Sequence, residues 1–217
     1  MINLYYPLRS LKEGHWFKLI CGASFQHLPA IQNLVLAYAL AGADCIDVAA
    51  DPAVVTSAQE ALDRACALAA DGGCDRAWVR PLLMVSLNDG EDPHFRKATF
   101  DAATCPPDCP RPCETICPAQ AIAFEDGKGT RLADGPQGVI ADRCYGCGRC
   151  LPVCPLGKIS TVSHQVTPGD LLPLVSQGID AIEIHTQVGR RAAFQDLWQA
   201  IAPLIPQLKL VAVSCPD

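Results

Sequence analysis

The sequence predicts an α/β fold: a parallel βα-repeat scaffold with an inserted α+β module. Three observations predict it. Short apolar runs alternate with stretches of helical spacing everywhere outside residues 93–158. Once that middle segment is set aside, each interval between strand starts has the length of one βα unit. And eight of the 13 cysteines crowd between Cys105 and Cys154, inside the same segment.

The elements follow in order. Residues 17–23 form a first short strand, and His27-Leu28-Pro29 then opens a helix with proline in its first turn. Ile31, Leu34, Val35 and Tyr38 share its apolar face and Gly42 stops it. Cys45–Ala49 is the second strand. Asp51 before Pro52 caps the next helix, with Val55, Leu62, Ala65 and Leu68 apolar and Gly72-Gly73 at its end. Residues 82–87 are the third strand. Beyond the insert, Thr167-Pro168 opens a helix through Leu171, Leu172, Leu174 and Val175, which Gly178 stops. Ala181–His185 is the fourth strand. Phe194, Leu197, Trp198 and Ile201 mark a helix that Pro203 terminates, and residues 208–213 are the fifth strand.

Apolar strands joined by crossover helices predict a parallel sheet covered on both faces. A closed eight-stranded barrel needs about 250 residues, so five strands make either an open layer or a partial, TIM-barrel-like portion of a longer protein. The ending Val211-Ala212-Val213-Ser214-Cys215-Pro216-Asp217 favours the second, because it looks like a strand whose βα loop is cut short. The expected organisation is scaffold over 1–92, insert over 93–158 and scaffold again over 159–217. The insert follows the third strand, so it sits at the C-terminal side of a βα repeat, where functional loops gather.

Composition excludes several functions. Half the residues are apolar, enough for a sizeable core and too many for a disordered chain. A net charge of −6 with 17 basic residues makes no nucleic-acid surface. No run approaches the length of a membrane span. The start MINLYYPLRSLKEGHWFK lacks the charged-then-apolar pattern of a signal peptide, so a cytoplasmic location is expected. In that setting clustered cysteines read as metal ligands rather than disulfides.

Cys144-Tyr-Gly-Cys147-Gly-Arg-Cys150-Leu-Pro-Val-Cys154-Pro155 is C-x2-C-x2-C-x3-C-P, the bacterial ferredoxin run. Its two-residue spacers let three thiolates converge on one cluster, and Gly146 and Gly148 permit positive φ and close backbone approach. In two-cluster ferredoxins the fourth cysteine serves the other cluster. A second array precedes it: Cys105-Pro-Pro-Asp-Cys109-Pro-Arg-Pro-Cys113-Glu-Thr-Ile-Cys117-Pro118. Its C-x3-C-P tail matches, while its front has three-residue spacers where two are usual. Crossed ligation then predicts two [4Fe–4S] clusters, the first on Cys117, Cys144, Cys147 and Cys150, the second on Cys105, Cys109, Cys113 and Cys154. The insert is thus expected to be an α+β module of the bacterial two-[4Fe–4S] ferredoxin type. Structural zinc would use Cys105/Cys109 or Cys113/Cys117 but leaves the second run unexplained. The first array's C-x3-C-x3-C also departs from the C-x3-C-x2-C of radical enzymes. Of the other cysteines, Cys21, Cys45 and Cys66 sit in apolar patterns and are expected to be buried. Cys74 and Cys215 lie near loop ends.

No catalytic residue is assigned. Asp47 and Asp51 follow the second strand, Asn88 and Asp89 the third, and Glu183 and His185 share one face of the fourth. Asp51 is accounted for as a cap and Asn88-Asp89-Gly90 as a turn. Gly189-Arg190-Arg191 at a helix start is a weak phosphate signal. There is no G-x-G-x-x-G, P-loop or G-x-S-x-G.

FKLICGASFQHLPAIQNLVLAYALAGADCIDVAADP, followed by CPPDCPRPCETICPAQAI and CYGCGRCLPVCP, resembles the cyanobacterial light-dependent period (LdpA) family over nearly the whole chain. Members of that family are longer at the C-terminus. The resemblance implies an iron–sulfur protein that reports cellular redox state to the circadian clock and adjusts its period to light. It implies clock-input proteins as partners and carries over the eight array cysteines alone. The alternative is an oxidoreductase or electron carrier whose cluster module passes electrons to a flavin or substrate at the sheet face. Either reading requires a redox donor or acceptor.

Overall fold

The computed structural model describes residues 6–21, 26–73, 78–91, 95–124 and 138–215. In chain order the elements are α1 (Tyr6–Glu13), β1 (Lys18–Cys21), α2 (Leu28–Ala41), β2 (Cys45–Ala49), α3 (Pro52–Leu68), β3 (Leu82–Asn88), β4 (Arg96–Thr99), α4 (Pro112–Ile116), β5 (Ile122–Ala123), β6 (Gly138–Val139), α5 (Cys150–Val153), β7 (Ser160–Ser163), α6 (Pro168–Gln177), β8 (Ala181–His185), α7 (Arg191–Ile201) and β9 (Leu210–Ser214). Two compact units emerge. One holds the described residues of Met1–Ala23, His27–Glu91 and Gln165–Asp217, the other those of Ser24–Gln26 and Asp92–His164.

The first unit is a five-stranded parallel sheet in the order β1-β2-β3-β8-β9, so neighbours in the sheet are also neighbours in the βα sequence. Right-handed crossovers between strands laid in sequence order place the connecting helices on one face. The helices form where local chemistry starts and stops them. The His27 ring accepts from the Ala30 N–H at 3.2 Å, and Gly42 ends α2 at φ 94°. The Asp51 carboxylate accepts from the Ala53 N–H at 2.9 Å at the head of α3. Thr167 and Asp170 form a capping box on α6, which ends at Gly178, φ 96°.

Registered residues of neighbouring strands share a face. One row runs through Val48, Val85 and Ile182, with Leu87 and Ile184 further along it, all buried. Full burial of each such aliphatic side chain contributes about 1.5–3 kcal/mol. The opposite face holds Cys45, Leu82, Met84 and Ala181 at its N-terminal end, covered by Leu8 of α1 and by Trp16. Further toward the strands' carboxyl ends this same face turns polar, with Asp47, Ser86, Glu183 and His185.

Several expectations shift in detail. β2 and β8 have the expected bounds; β1 is shorter, and residues 22–23 lie outside the described residues, as do Cys74, Pro216 and Asp217. β9 starts at Leu210 and runs to Ser214 rather than spanning 208–213. Leu34, Tyr38, Leu68 and Leu172 are exposed at the edges of their helical stripes. Cys66 is exposed too, because it lies about 100° round α3 from buried Ala65. Pro203 ends α7, but the chain continues as a 3-10 turn over Ala202–Gln207.

The second unit has two short antiparallel ladders, β4 with β7 and β5 with β6, and two one-turn helices, α4 and α5, that pack together. Cys113, Ile122, Cys150 and Ile159 form its buried centre, with Phe100, Phe124, Leu151 and Val153 against them.

Candidate iron–sulfur site

The two cysteine arrays fold into the same backbone twice. α4 ends on Cys117 at φ −73°, ψ 108°, and α5 ends on Cys154 at φ −72°, ψ 111°. Each cysteine precedes a proline, which cannot continue the helix. The Cys117 N–H donates to the Glu114 carbonyl at 3.3 Å, and the Cys154 N–H to that of Leu151 at 3.4 Å. The Gln120 N–H donates to Cys117 and the Gly157 N–H to Cys154, both at 3.2 Å. The Cys117 sulfur accepts from the Ala121 N–H at 3.2 Å, and the Cys154 sulfur from the Lys158 N–H at 3.4 Å. In both arrays the fourth residue after the cysteine thus turns its amide toward the sulfur.

The correspondence extends to left-handed positions that the sequence hides. Gly148 at φ 70° stands two residues before Cys150, and Arg111 at φ 51° two before Cys113. Gly157 at φ 60° stands three after Cys154, and Gln120 at φ 49° three after Cys117. Residues other than glycine carry a steric cost there of about 1–2 kcal/mol. Arg111 also lays its guanidinium 4.4 Å from the centroid of the Phe124 ring. Gly146, at φ 79°, is held close: a Cβ there would meet the Arg96 carbonyl oxygen at 2.5 Å.

Cys117, Cys144, Cys147 and Cys150 line one largely apolar cavity of about 360 Å³, open mouth included, together with Ile122 and Val139. Burial pushes the Cys150 thiol up to about 11, with the charges of Cys144, Cys147 and Cys117 adding to it. Burial raises Cys113 as well, and there the neighbouring charges are Cys154 and Cys105. The long front of the first array starts from a tight turn, Ala102–Thr104, capped by the Asp101 carboxylate. Thiolate-only donors on a C-x2-C-x2-C-x3-C-P run suit an iron–sulfur group. Amides aimed at sulfur and a dry lining are what such a group requires.

The remaining sequence candidates separate clearly. Asp51 is a cap, as expected. The buried Asp89 carboxylate bonds Thr186 and Arg190 (Nε at 2.7 Å), which ties the loop after β3 to the start of α7. Glu183 and His185 do come together, with Asp47 and with a residue the sequence reading missed, Lys18, whose ammonium bonds both Asp47 and Glu183. Burial pushes Asp47 up to about 7, against Lys18 and Ser86. Burial also works against ionised Glu183, but the Lys18 hydrogen bond holds it below its ordinary value. Lys18 is 165 residues from Glu183, so no local pattern could have paired them.

The fold and site define an iron–sulfur protein: a parallel βα sheet combined with a twice-repeated cysteine module. The LdpA Fe-S cluster-binding domain matches residues 105–165, and the Light dependent period A C-terminal domain matches residues 173–217. The chain is a homologue of Light dependent period A from Synechococcus elongatus, 58% identical over 212 residues that cover 97% of this chain and 55% of that protein. It is also similar to an iron–sulfur protein of Rhodospirillum rubrum, 29% identical over 47% of this chain and 49% of that one. An uncharacterized ferredoxin of Methanocaldococcus jannaschii is 37% identical over 26% of this chain and 34% of its own length. The chain thus spans about half the length of the first two relatives. No solved structure matches it. No helix among the described residues is long and apolar enough to cross a membrane.

Proposed function

We propose that this chain is a cytoplasmic iron–sulfur redox sensor that relays cellular redox state to protein partners. By analogy with the relative named for light-dependent period, those partners are circadian clock-input proteins, and the output is adjustment of period to light. Cys117, Cys144, Cys147 and Cys150 hold one [4Fe–4S] cluster, and Cys105, Cys109, Cys113 and Cys154 hold the second. The clusters supply one-electron chemistry. The observation that carries this reading is the repeated turn in which the Cys117 and Cys154 sulfurs each accept an amide four residues on. Those amides favour negative charge on sulfur, and the apolar residues Ile122, Ile159, Phe100 and Phe124 keep water from the site. The sheet, with strands in sequence order, supports a scaffold that is a portion of a TIM-like βα barrel.

Iron and sulfide analysis with EPR, on anaerobically purified protein before and after dithionite, tests it. About eight irons per chain, EPR-silent when oxidised and with interacting signals when reduced, is the expected result. About four irons would remove Cys105, Cys109, Cys113 and Cys154 from the site. Zinc in place of iron, in protein never exposed to air, would overturn the redox reading.

A further inference from the structure

The polar end of the sheet's second face carries a site of its own. Asp47 of β2 and Glu183 and His185 of β8 bring one ligand atom each within 4.8 Å of one another. The Asp47 and Glu183 side chains are 3% and 10% exposed, whereas His185 is 37% exposed and marks the way in. The Ser86 hydroxyl donates to both Asp47 oxygens, at 2.8 and 2.9 Å, and orients that carboxylate from behind. Asp47 and Glu183 stand mid-strand, and His185, the last residue of β8, carries the cluster to the carboxyl end of the sheet, the side on which parallel α/β sheets bind ligands.

Charge decides what such a place accepts. Two buried carboxylates face one ammonium, Lys18, whose Nζ donates to both. Two carboxylates buried side by side repel each other, and a cation between them relieves both that repulsion and the cost of their burial. We propose that Asp47, Glu183 and His185 form a binding site for a divalent first-row cation, in which Lys18 takes the cation's place when the site is empty. Two carboxylates and an imidazole suit Mn²⁺-type ions, and three protein ligands leave coordination positions for water or a substrate oxygen. The Lys18 side chain is 20% exposed, so its ammonium has a path outward when the ion enters. Ser86 provides the outer hydrogen bond that fixes a metal-bound carboxylate.

The test is Mn²⁺ titration of the intact protein with its clusters loaded, read by the loss of free Mn²⁺ EPR signal and by the melting temperature. Manganese avoids thiolates, so the cysteine arrays do not compete. One saturable ion per chain is expected, with a rise in melting temperature. Glu183→Gln and His185→Ala weaken binding at least tenfold, while Lys18→Met, which removes the competing charge, tightens it at least tenfold. His185 is partly exposed, so its replacement tests the site without threatening the fold. No saturable ion in either the wild type or Lys18→Met overturns the proposal. So does binding that none of the three substitutions alters. The outcome is independent of how many clusters the cysteines hold.

Discussion

Gly146→Ala against Gly157→Ala separates two costs that are usually confounded. Both glycines are left-handed, at φ 79° and φ 60°. Alanine at either therefore pays a similar conformational cost, about 1–2 kcal/mol. Their surroundings differ. A Cβ at Gly157 meets nothing within 4 Å, while one at Gly146 meets the Arg96 carbonyl oxygen at 2.5 Å, with the Phe95 ring at 3.6 Å behind it. The Arg96 carbonyl belongs to β4, which is registered on β7 with Arg96 opposite Ser163, and the Arg96 guanidinium is bonded to Thr161. It cannot withdraw like a flexible side-chain tip, and overpacking of this kind costs about 1–3 kcal/mol more. At about 2 kcal/mol, the extra cost lowers the melting temperature of a chain this size by about 4–8 °C relative to Gly157→Ala. Thermal melts of the cluster-loaded protein, followed by visible absorption and by far-ultraviolet circular dichroism, measure it. Equal shifts for the two variants would refute the assignment of Gly146 as a close-approach glycine. Arg111 and Gln120 show that the backbone accepts side chains at left-handed positions in the same module.

Other perturbations probe the remaining contacts. Cys147→Ser and Cys109→Ser are each expected to lower iron from about eight to about four per chain and to leave different residual EPR signals, because they strike different clusters. Asp89→Asn strips the carboxylate from a side chain that is 4% exposed and weakens its bond to Arg190; denaturant unfolding should show a loss of about 1–3 kcal/mol. Iodoacetamide at about pH 8 should modify exposed Cys66 and Cys215 and spare buried Cys21 and Cys45, as read by peptide mass mapping. Burial lifts the Cys21 thiol from 9.0 to about 11, so its contribution to stability is full below pH 9.0 and is lost as pH rises toward 11. A Cys21→Ala variant should therefore lose less stability across that window than the wild type.

The helix limits were legible because their signals are local. Asp51 and Thr167 as caps and Gly42 and Gly178 as stops act within a few residues of themselves. β2 and β8 were legible for a similar reason: apolar residues at alternate positions, Ile46 and Val48 in one and Ile182 and Ile184 in the other, mark a buried strand face. α1 was not, since it is short and only Pro7 and Ser10 of it are buried. Cys66 misled because an apolar helix pattern does not say where the covering layer ends. The second half-repeat was readable from its glycines, but the first hid the same backbone under Arg111 and Gln120, which sit where glycine is expected.

The sequence by itself set out the cysteine pattern: eight cysteines in two arrays that each end in Cys-Pro, at spacings that point to an iron–sulfur group, within a chain of βα units. Tertiary structure alone decided the company each residue keeps. Cys117 reaches the cavity of Cys144, Cys147 and Cys150 because α4 packs on α5, and Cys113 feels Cys154 for the same reason. Lys18, Asp47 and Glu183 meet because the parallel register lays β1, β2, β3 and β8 side by side and turns one row of each toward the same face. Spacing along a chain encodes what neighbours in sequence can bind; proximity between distant strands arises only when burial of their apolar rows fixes the register.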